Sequence, residues 1–149
     1  MRNLKRALSL ALASVMVMGL MVVGTGASYA DVSSEQNQEA IEVLQAVGVM
    51  TGDENGKFNP DANVTRNEMA VIMSNMLDYK VSNYAGTAPF TDVPSWAEPY
   101  VAACYTNGII AGYDAKTFGP SDKVTGYQAL AMILRAVGYD KNDEFTGAQ

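Results

Sequence analysis

Residues 48–60 read GVMTGDENGKFNP, and residues 108–120 read GIIAGYDAKTFGP. Sixty positions apart, Gly48 falls on Gly108, Gly52 on Gly112, Phe58 on Phe118 and Pro60 on Pro120. The register continues downstream, with Val64-Thr65 on Val124-Thr125, and upstream after a one-residue slip, with Asp31-Val32 on Asp92-Val93. Turn-formers and anchors in the same order mark an internal repeat, and a repeat has to be read before any single motif.

Each copy reads as helix, structured loop, helix. Ala40, Val43, Leu44 and Val47 stand at i, i+3, i+4 and i+7, one face of a helix that Gly48 ends with a left-handed cap. The second copy repeats this with Ala97, Tyr100, Val101 and Cys104, closed by Gly108. The loops 52–63 and 112–123 are rich in Gly, Asp, Asn and Pro, and each holds one Phe, placed to plug it onto the helices. The helices that follow open on Thr65-Arg66-Asn67-Glu68 and Thr125-Gly126-Tyr127-Gln128. Both fit the capping box, in which Thr accepts from the N3 amide and the Glu or Gln reaches back. Apolar residues then recur at helical spacing, as Met69, Ile72, Met73 and Met76, and as Leu130, Ile133, Leu134 and Val137. The reading is all-α, in tandem helix-loop-helix units. A unit this small cannot cover its own apolar face, so units must pack on one another.

The first thirty residues stand apart. Arg2, Lys5 and Arg6 precede an uncharged apolar run from Ala7 to Val23, and in Ala27-Ser28-Tyr29-Ala30 small residues, Ser28 and Ala30, sit at −3 and −1 of a cut after Ala30. That order is a secretory signal peptide, and its removal leaves no membrane-spanning segment. The expected organisation is signal peptide 1–30, first repeat 31–78, linker 79–89, second repeat 90–139, and a tail 140–149. In the tail, Phe145-Thr146-Gly147 echoes Phe90-Thr91-Asp92, as if a third repeat were beginning.

The 149 residues carry ten basic and sixteen acidic side chains, and removing the leader leaves a formal charge of −9. Such a surface argues against nucleic acid, because phosphate binding needs a basic face. With no histidine and one cysteine, zinc sites, Ser–His and Cys–His catalysis and internal disulfides are excluded. Asp53, Glu54, Asn55 and Asp61 invite a calcium reading, but from Asp53 the glycine falls fourth, at Gly56, rather than sixth. Met69, Met73 and Met76 read as core or repeat-interface filler, and Cys104 as a small buried hydrophobe. No metal and no cofactor are expected. The repeat accounts for the chain after the leader and leaves no room for a catalytic domain, so no enzyme is expected.

Together these residues resemble the S-layer homology (SLH) family, the envelope-anchoring repeat of bacteria. The second unit carries the fuller signature: Phe90-Thr91-Asp92-Val93, Trp96-Ala97, Tyr100-Val101, Gly108 to Tyr113 and Thr117-Phe118-Gly119-Pro120. The first carries Gly48-Val49-Met50-Thr51-Gly52, Phe58-Asn59-Pro60 and Val64 to Glu68. The resemblance implies three repeats packed as a pseudo-threefold helical bundle, localised to the cell wall or S-layer of an exporting bacterium. It implies a non-catalytic module that anchors an exported or S-layer protein by binding secondary cell-wall polysaccharide, often pyruvylated. Other SLH repeats or S-layer subunits are the further partners it implies. The alternatives are a structural component of an S-layer lattice, or the N-terminal fragment of a larger surface protein or enzyme.

By position, the resemblance assigns polysaccharide binding to Arg66, Trp96, Gly48, Gly52, Gly108 and Gly112. Two departures stand out: Gly126 replaces the second unit's arginine, and Gln36 stands where the first unit would hold tryptophan. A groove between neighbouring units would let Arg66 of one and Trp96 of the next share a site. Arg66 also sits in a first helical turn, where the dipole disfavours a cation by about 0.3–1 kcal/mol. Backbone N–H groups of that helix start and the guanidinium would together grip a carboxylate; the bland reading is a solvated arginine or a salt bridge. Trp96 is either core or a ring that stacks on a sugar. The glycines answer first to positive φ at helix ends, and their bare backbones would also line a groove.

Overall fold

The computed structural model describes residues 29–32 and 35–139. Most of the expected leader and the tail 140–149, with its echo of a third repeat, lie outside these residues, as does the side chain of Gln36. Among the described residues the chain is all-α: α1 (Glu35–Ala46), α2 (Arg66–Met76), a 3₁₀ turn (Val81–Asn83), α3 (Glu98–Thr106) and α4 (Gly126–Ala136). They belong to two compact bodies that divide after Pro60. The division falls inside the first sequence repeat, so α2 packs with the elements of the second.

In the first body, α1 ends at Gly48, whose φ of 72° is the left-handed cap its lack of a side chain permits. The loop beyond folds back on itself, with the Asp53 amide donating to the Lys57 carbonyl at 2.8 Å. The Asp53 carboxylate accepts from the amides of Asn55 and Lys57 at 2.9 Å each, and so serves the backbone. Asp31 ties the loop down from outside by accepting from the amides of Phe58 (3.1 Å) and Asn59 (2.7 Å). The Tyr29 ring lies 5.5 Å from that of Phe58.

The second body repeats this arrangement. Tyr113 donates to Thr117 at 2.8 Å, and the Asp114 carboxylate takes the amides of Lys116 and Thr117. Asp92 accepts from Phe118 and Gly119 as Asp31 does from Phe58 and Asn59. Phe90 stands over Phe118 at 5.3 Å, the counterpart of Tyr29 over Phe58. Phe118 is fully buried in a core with Met69, Ala70, Met73, Val101, Cys104, Ile109, Ile110 and Met132. Helix α3 tolerates a proline in its first turn because the N–H it removes would have lacked a helical partner. Its Cys104 and Tyr100 meet Ser74 of α2, whose hydroxyl lies 3.3 Å from Cys104 Sγ and 3.3 Å from the Tyr100 carbonyl. The segment 79–89, expected as a linker, includes the 3₁₀ turn, and the Gly86 amide donates to Glu98 at 2.9 Å.

Both capping boxes form. The helix faces differ from expectation. On α1, Ala40, Val43 and Val47 point outward and Ile41 is buried. On α4, Leu130, Ile133 and Val137 are exposed, while Ala131 and Met132 face inward and Ala129 and Ala136 rest on the core. The reason is size: α4 turns its small side chains and one flexible Met to the body, which leaves its most regular apolar stripe outside. On α2, Met69 and Met73 are buried as expected, whereas Met76 is exposed.

Candidate functional site

Arg66 decides what the second body can offer. It is neither solvated nor salt-bridged at the surface, being only 1% exposed. Its Nε donates to the Phe118 carbonyl at 2.8 Å and its Nη2 to the Ala111 carbonyl at 2.6 Å. The guanidinium carbon lies 4.5 Å from the Phe118 ring centre and 4.7 Å from that of Tyr113. A planar fork with delocalised charge suits this slot of carbonyls and ring faces, and a lysine ammonium would not. Burial pulls the pKa of Arg66 down, and Tyr113, Asp122 and Asp92 push it back. Nη1 remains: it is buried and has no hydrogen-bond partner among the described residues.

The helix start beside it is already occupied. The Arg66 amide donates to the Asp122 carbonyl at 2.9 Å, and the Asn67 amide to the Pro120 carbonyl at 3.1 Å. The Glu68 amide turns to Thr65 Oγ1 at 3.3 Å. The first three N–H groups of α2 are thus spent on the loop 120–122 and on the cap. A grip shared between these amides and the guanidinium, as the sequence suggested, has no free amide to contribute. The dipole's penalty on Arg66 is offset by the carbonyl dipoles of residues 111 and 118, which the sequence did not place there.

Around this slot stand residues that position it. Asp92, through Phe118 and Gly119, fixes the loop that carries one acceptor. Burial pushes the Asp92 carboxyl upward, but the amides of Gly119 and Phe118 outweigh it and hold the pKa below 3.8. Tyr113 is 48% exposed on its outer side, and burial and the nearby Asp122 carboxylate hold its phenol above 10.0. Gly112, next to Ala111, admits no side chain: a Cβ there would lie 2.3 Å from the Phe90 ring and 2.7 Å from the Thr117 carbonyl.

Of the six residues expected to bind polysaccharide, the structure brings Arg66 and Gly112 together, through the Ala111 carbonyl. Gly108, with φ of 70°, ends α3 in the same body. Gly48 and Gly52 belong to the first body, both with positive φ. Trp96 is 59% exposed, so it is not core. The rings that stack on Arg66 are those of Tyr113 and Phe118, and Trp96 is not among them. Sequence reasoning missed Tyr113 and Asp122 as neighbours of the guanidinium. The available signal was that Tyr113 follows Gly112 directly, at the mouth of the loop whose Phe was already read as a plug.

The chain is 35% identical over 101 residues, 66% of its length, to the Surface-layer 125 kDa protein of Lysinibacillus sphaericus. It is 30% identical to a Cell surface protein of Thermoanaerobacter kivui, in an alignment of 151 positions, gaps included, that covers 96% of the chain. It is 29% identical to an Endoglucanase of Bacillus sp. (strain KSM-635), in an alignment of 153 positions, gaps included, that covers 95% of the chain. The chain spans only 8%, 20% and 16% of those three proteins respectively. Residues 28–70 and 89–130 both match the S-layer homology domain. Those two matches, laid on the repeat and its helices, make the chain a member of the S-layer homology domain family and a protein of the bacterial cell surface.

Proposed function

We propose that this chain is a non-catalytic anchoring module that holds an exported protein to the envelope by binding an acidic secondary cell-wall polysaccharide. The observation that carries this reading is Nη1 of Arg66, a buried cationic donor with no partner among the described residues. Leaving such a donor unpaired costs about 1–3 kcal/mol, and a carboxylate such as that of a pyruvate ketal repays it with a charge-assisted hydrogen bond. The exposed faces of Tyr113 and Trp96 supply flat surfaces for sugar rings, and the open backbone at Gly108 lets a chain approach closely, while Gly112 acts by holding the loop that carries the Ala111 carbonyl. In the first body Gly48 is open as Gly108 is, and Gly52 is packed by its own loop as Gly112 is. For the ligand to reach the buried Nη1, the exposed Tyr113 ring that stacks on the guanidinium has to swing aside.

The cargo is a larger surface protein or wall-bound enzyme. Supporting this is the spread of relatives, which include surface-layer proteins and an endoglucanase that share with this chain only a small part of their length. A structural role in an S-layer lattice is the second reading, favoured by the surface-layer relatives.

Pull-down on purified cell walls tests the proposal. Binding is expected on intact walls and lost when the secondary polysaccharide is stripped; retention on bare peptidoglycan overturns it, and sheets formed without any wall favour the lattice. Trp96 is the sole tryptophan and is exposed, so its emission reports whether sugar covers that ring. Released polysaccharide is expected to shift that emission to the blue, and depyruvylated polysaccharide to bind more weakly.

A further inference from the structure

Of the asparagines in the chain only two precede a glycine, Asn55 before Gly56 and Asn107 before Gly108. That order of residues carries a reaction of its own. The main-chain nitrogen that follows an asparagine can attack the side-chain amide carbon, and a glycine there has no Cβ to block the approach. Asparagine counts among the thermolabile residues for this reason. In a folded chain the rate depends on how readily the local backbone opens.

The fold separates the two sites. Asn107 ends α3, where its Nδ2 donates to the Ala103 carbonyl at 2.8 Å and its main-chain amide to the same carbonyl at 3.2 Å. The Gly108 amide donates to the Tyr105 carbonyl at 3.0 Å, and Val101 to Cys104 just before are fully buried. Turning the Asn107 side chain onto Gly108 therefore means unwinding the end of a core helix. Asn55 lies in the exposed run 51–57. There the Gly56 amide is held by the Asp53 carbonyl at 3.0 Å, and a Cβ at Gly56 would meet nothing within 4 Å. The Asp53 carboxylate serves first the Lys57 amide and the Asn59 side chain, and least the side chain of Asn55. Sixty residues on stand Ala115 and Lys116, so the second loop lacks the pair.

We infer that Asn55 is a site of spontaneous covalent modification in the exported protein. The Gly56 nitrogen, giving its proton to solvent, bonds to Asn55 Cγ, and ammonia leaves as a cyclic imide closes. Water then opens the ring. At Cγ it leaves an aspartate in a normal main chain; at the main-chain carbonyl it leaves an isoaspartate, with the chain running through Cβ and Cγ. One water is consumed and one ammonia released, with no other reactant. The longer link falls between Asp53 and Lys57, which close the loop by an amide–carbonyl bond of 2.8 Å and a carboxylate–amide bond of 2.9 Å. It thereby loosens the segment that offers the Phe58 and Asn59 amides to Asp31. Asn55 has no part in the polysaccharide reading, so this inference stands apart from it.

The experiment follows the exported chain, purified from the medium and held folded at neutral pH for weeks, by proteolysis and mass spectrometry. A matched sample is kept unfolded in guanidinium chloride. In the folded chain the Asn55 peptide is expected to convert to aspartate and isoaspartate at least about tenfold faster than the Asn107 peptide, and in the unfolded chain at a similar rate. Asn55→Gln, which would have to close a larger ring, is expected to keep its amide and to lack the acidic form that ion exchange separates from the aged wild type. Hydrogen exchange at Phe58 and Asn59 is expected to quicken in the isoaspartyl form. An Asn55 that keeps its amide overturns the inference, as does folded-state conversion at Asn107 that matches or exceeds it. Unchanged exchange at Phe58 and Asn59 overturns the loosening.

Discussion

The Arg66 guanidinium meets the Phe118 carbonyl 52 residues further along the chain, at 2.8 Å. That bond and its companion to Ala111 make an arginine from the first sequence repeat the clamp of the second repeat's loop. The two repeats are therefore not independent units in a row: the last third of one completes the next.

Removing the clamp has a definite consequence. Arg66→Ala leaves the Phe118 and Ala111 carbonyls without their donor and uncovers the Phe118 ring, so the second body is expected to lose about 3 kcal/mol. Arg66→Lys keeps a charge but cannot serve two divergent carbonyls, and is expected to recover less than half of the loss. Urea unfolding read at the aromatic signal measures both. A loss below about 0.5 kcal/mol, the usual range for surface substitutions, would mean that the clamp does not hold the loop. Because Arg66→Ala acts on the fold, loss of wall binding in that variant must be read beside its stability.

How far the sequence was legible follows from what each residue depends on. The capping boxes at Thr65 and Thr125, the left-handed Gly48 and Gly108, and the Phe118 plug were readable because they are local or recur at a fixed offset. The outward faces of α1 and α4 were not. Periodicity shows that a stripe exists on a helix, but which side meets the body depends on side-chain size against neighbours far away in sequence. The surroundings of Arg66 were hidden for the same reason. Main-chain carbonyls leave no mark in a sequence, and the residues that supply them lie about fifty positions away.

Two glycines separate space from conformation. A Cβ at Gly126 meets nothing within 4 Å and its φ is not positive, so Gly126→Ala is expected to stabilise α4 by about 0.5 kcal/mol. At Gly112 the same methyl would press on Phe90 and on the carbonyls of Thr117 and Asp114. Gly112→Ala is expected to cost about 2–3 kcal/mol as the overpacked loop shifts. Thermal unfolding of the pair measures this, and equal midpoints would contradict the loop's close packing.

Acid should loosen both loops. The amides of Asn59 and Phe58 hold Asp31 below 3.8, and those of Gly119 and Phe118 hold Asp92 below it against the upward push of burial. A carboxylate depressed on folding contributes stability that is whole above its unfolded pKa and is lost as pH falls through the folded one. Stability is therefore expected to hold from neutral pH down to about 4 and to fall below it. Asp92→Asn is expected to be less stable at pH 7 and to show a shallower acid limb, by up to one proton. Urea midpoints measured from pH 7 to pH 2 test it; an unchanged acid limb would remove Asp92 from the account.

The last expectation concerns where the exported chain begins. Tyr29 is buried on Phe58, and a Cβ at Gly52 would lie 2.6 Å from its ring, as one at Gly112 would lie 2.3 Å from that of Phe90. Tyr29 thus does for the first loop what Phe90 does for the second. A cut after Ala30 would discard it. Thr25 and Ala27 also place small residues at −3 and −1, for a cut three residues earlier, after Ala27. The exported chain is therefore expected to start at Ser28, and its intact mass decides the matter. A mass that begins at Asp31 would leave Phe58 without its covering ring. The first loop would then depend on the Asp31 carboxylate, beside a new terminal amine, to hold the Phe58 and Asn59 amides.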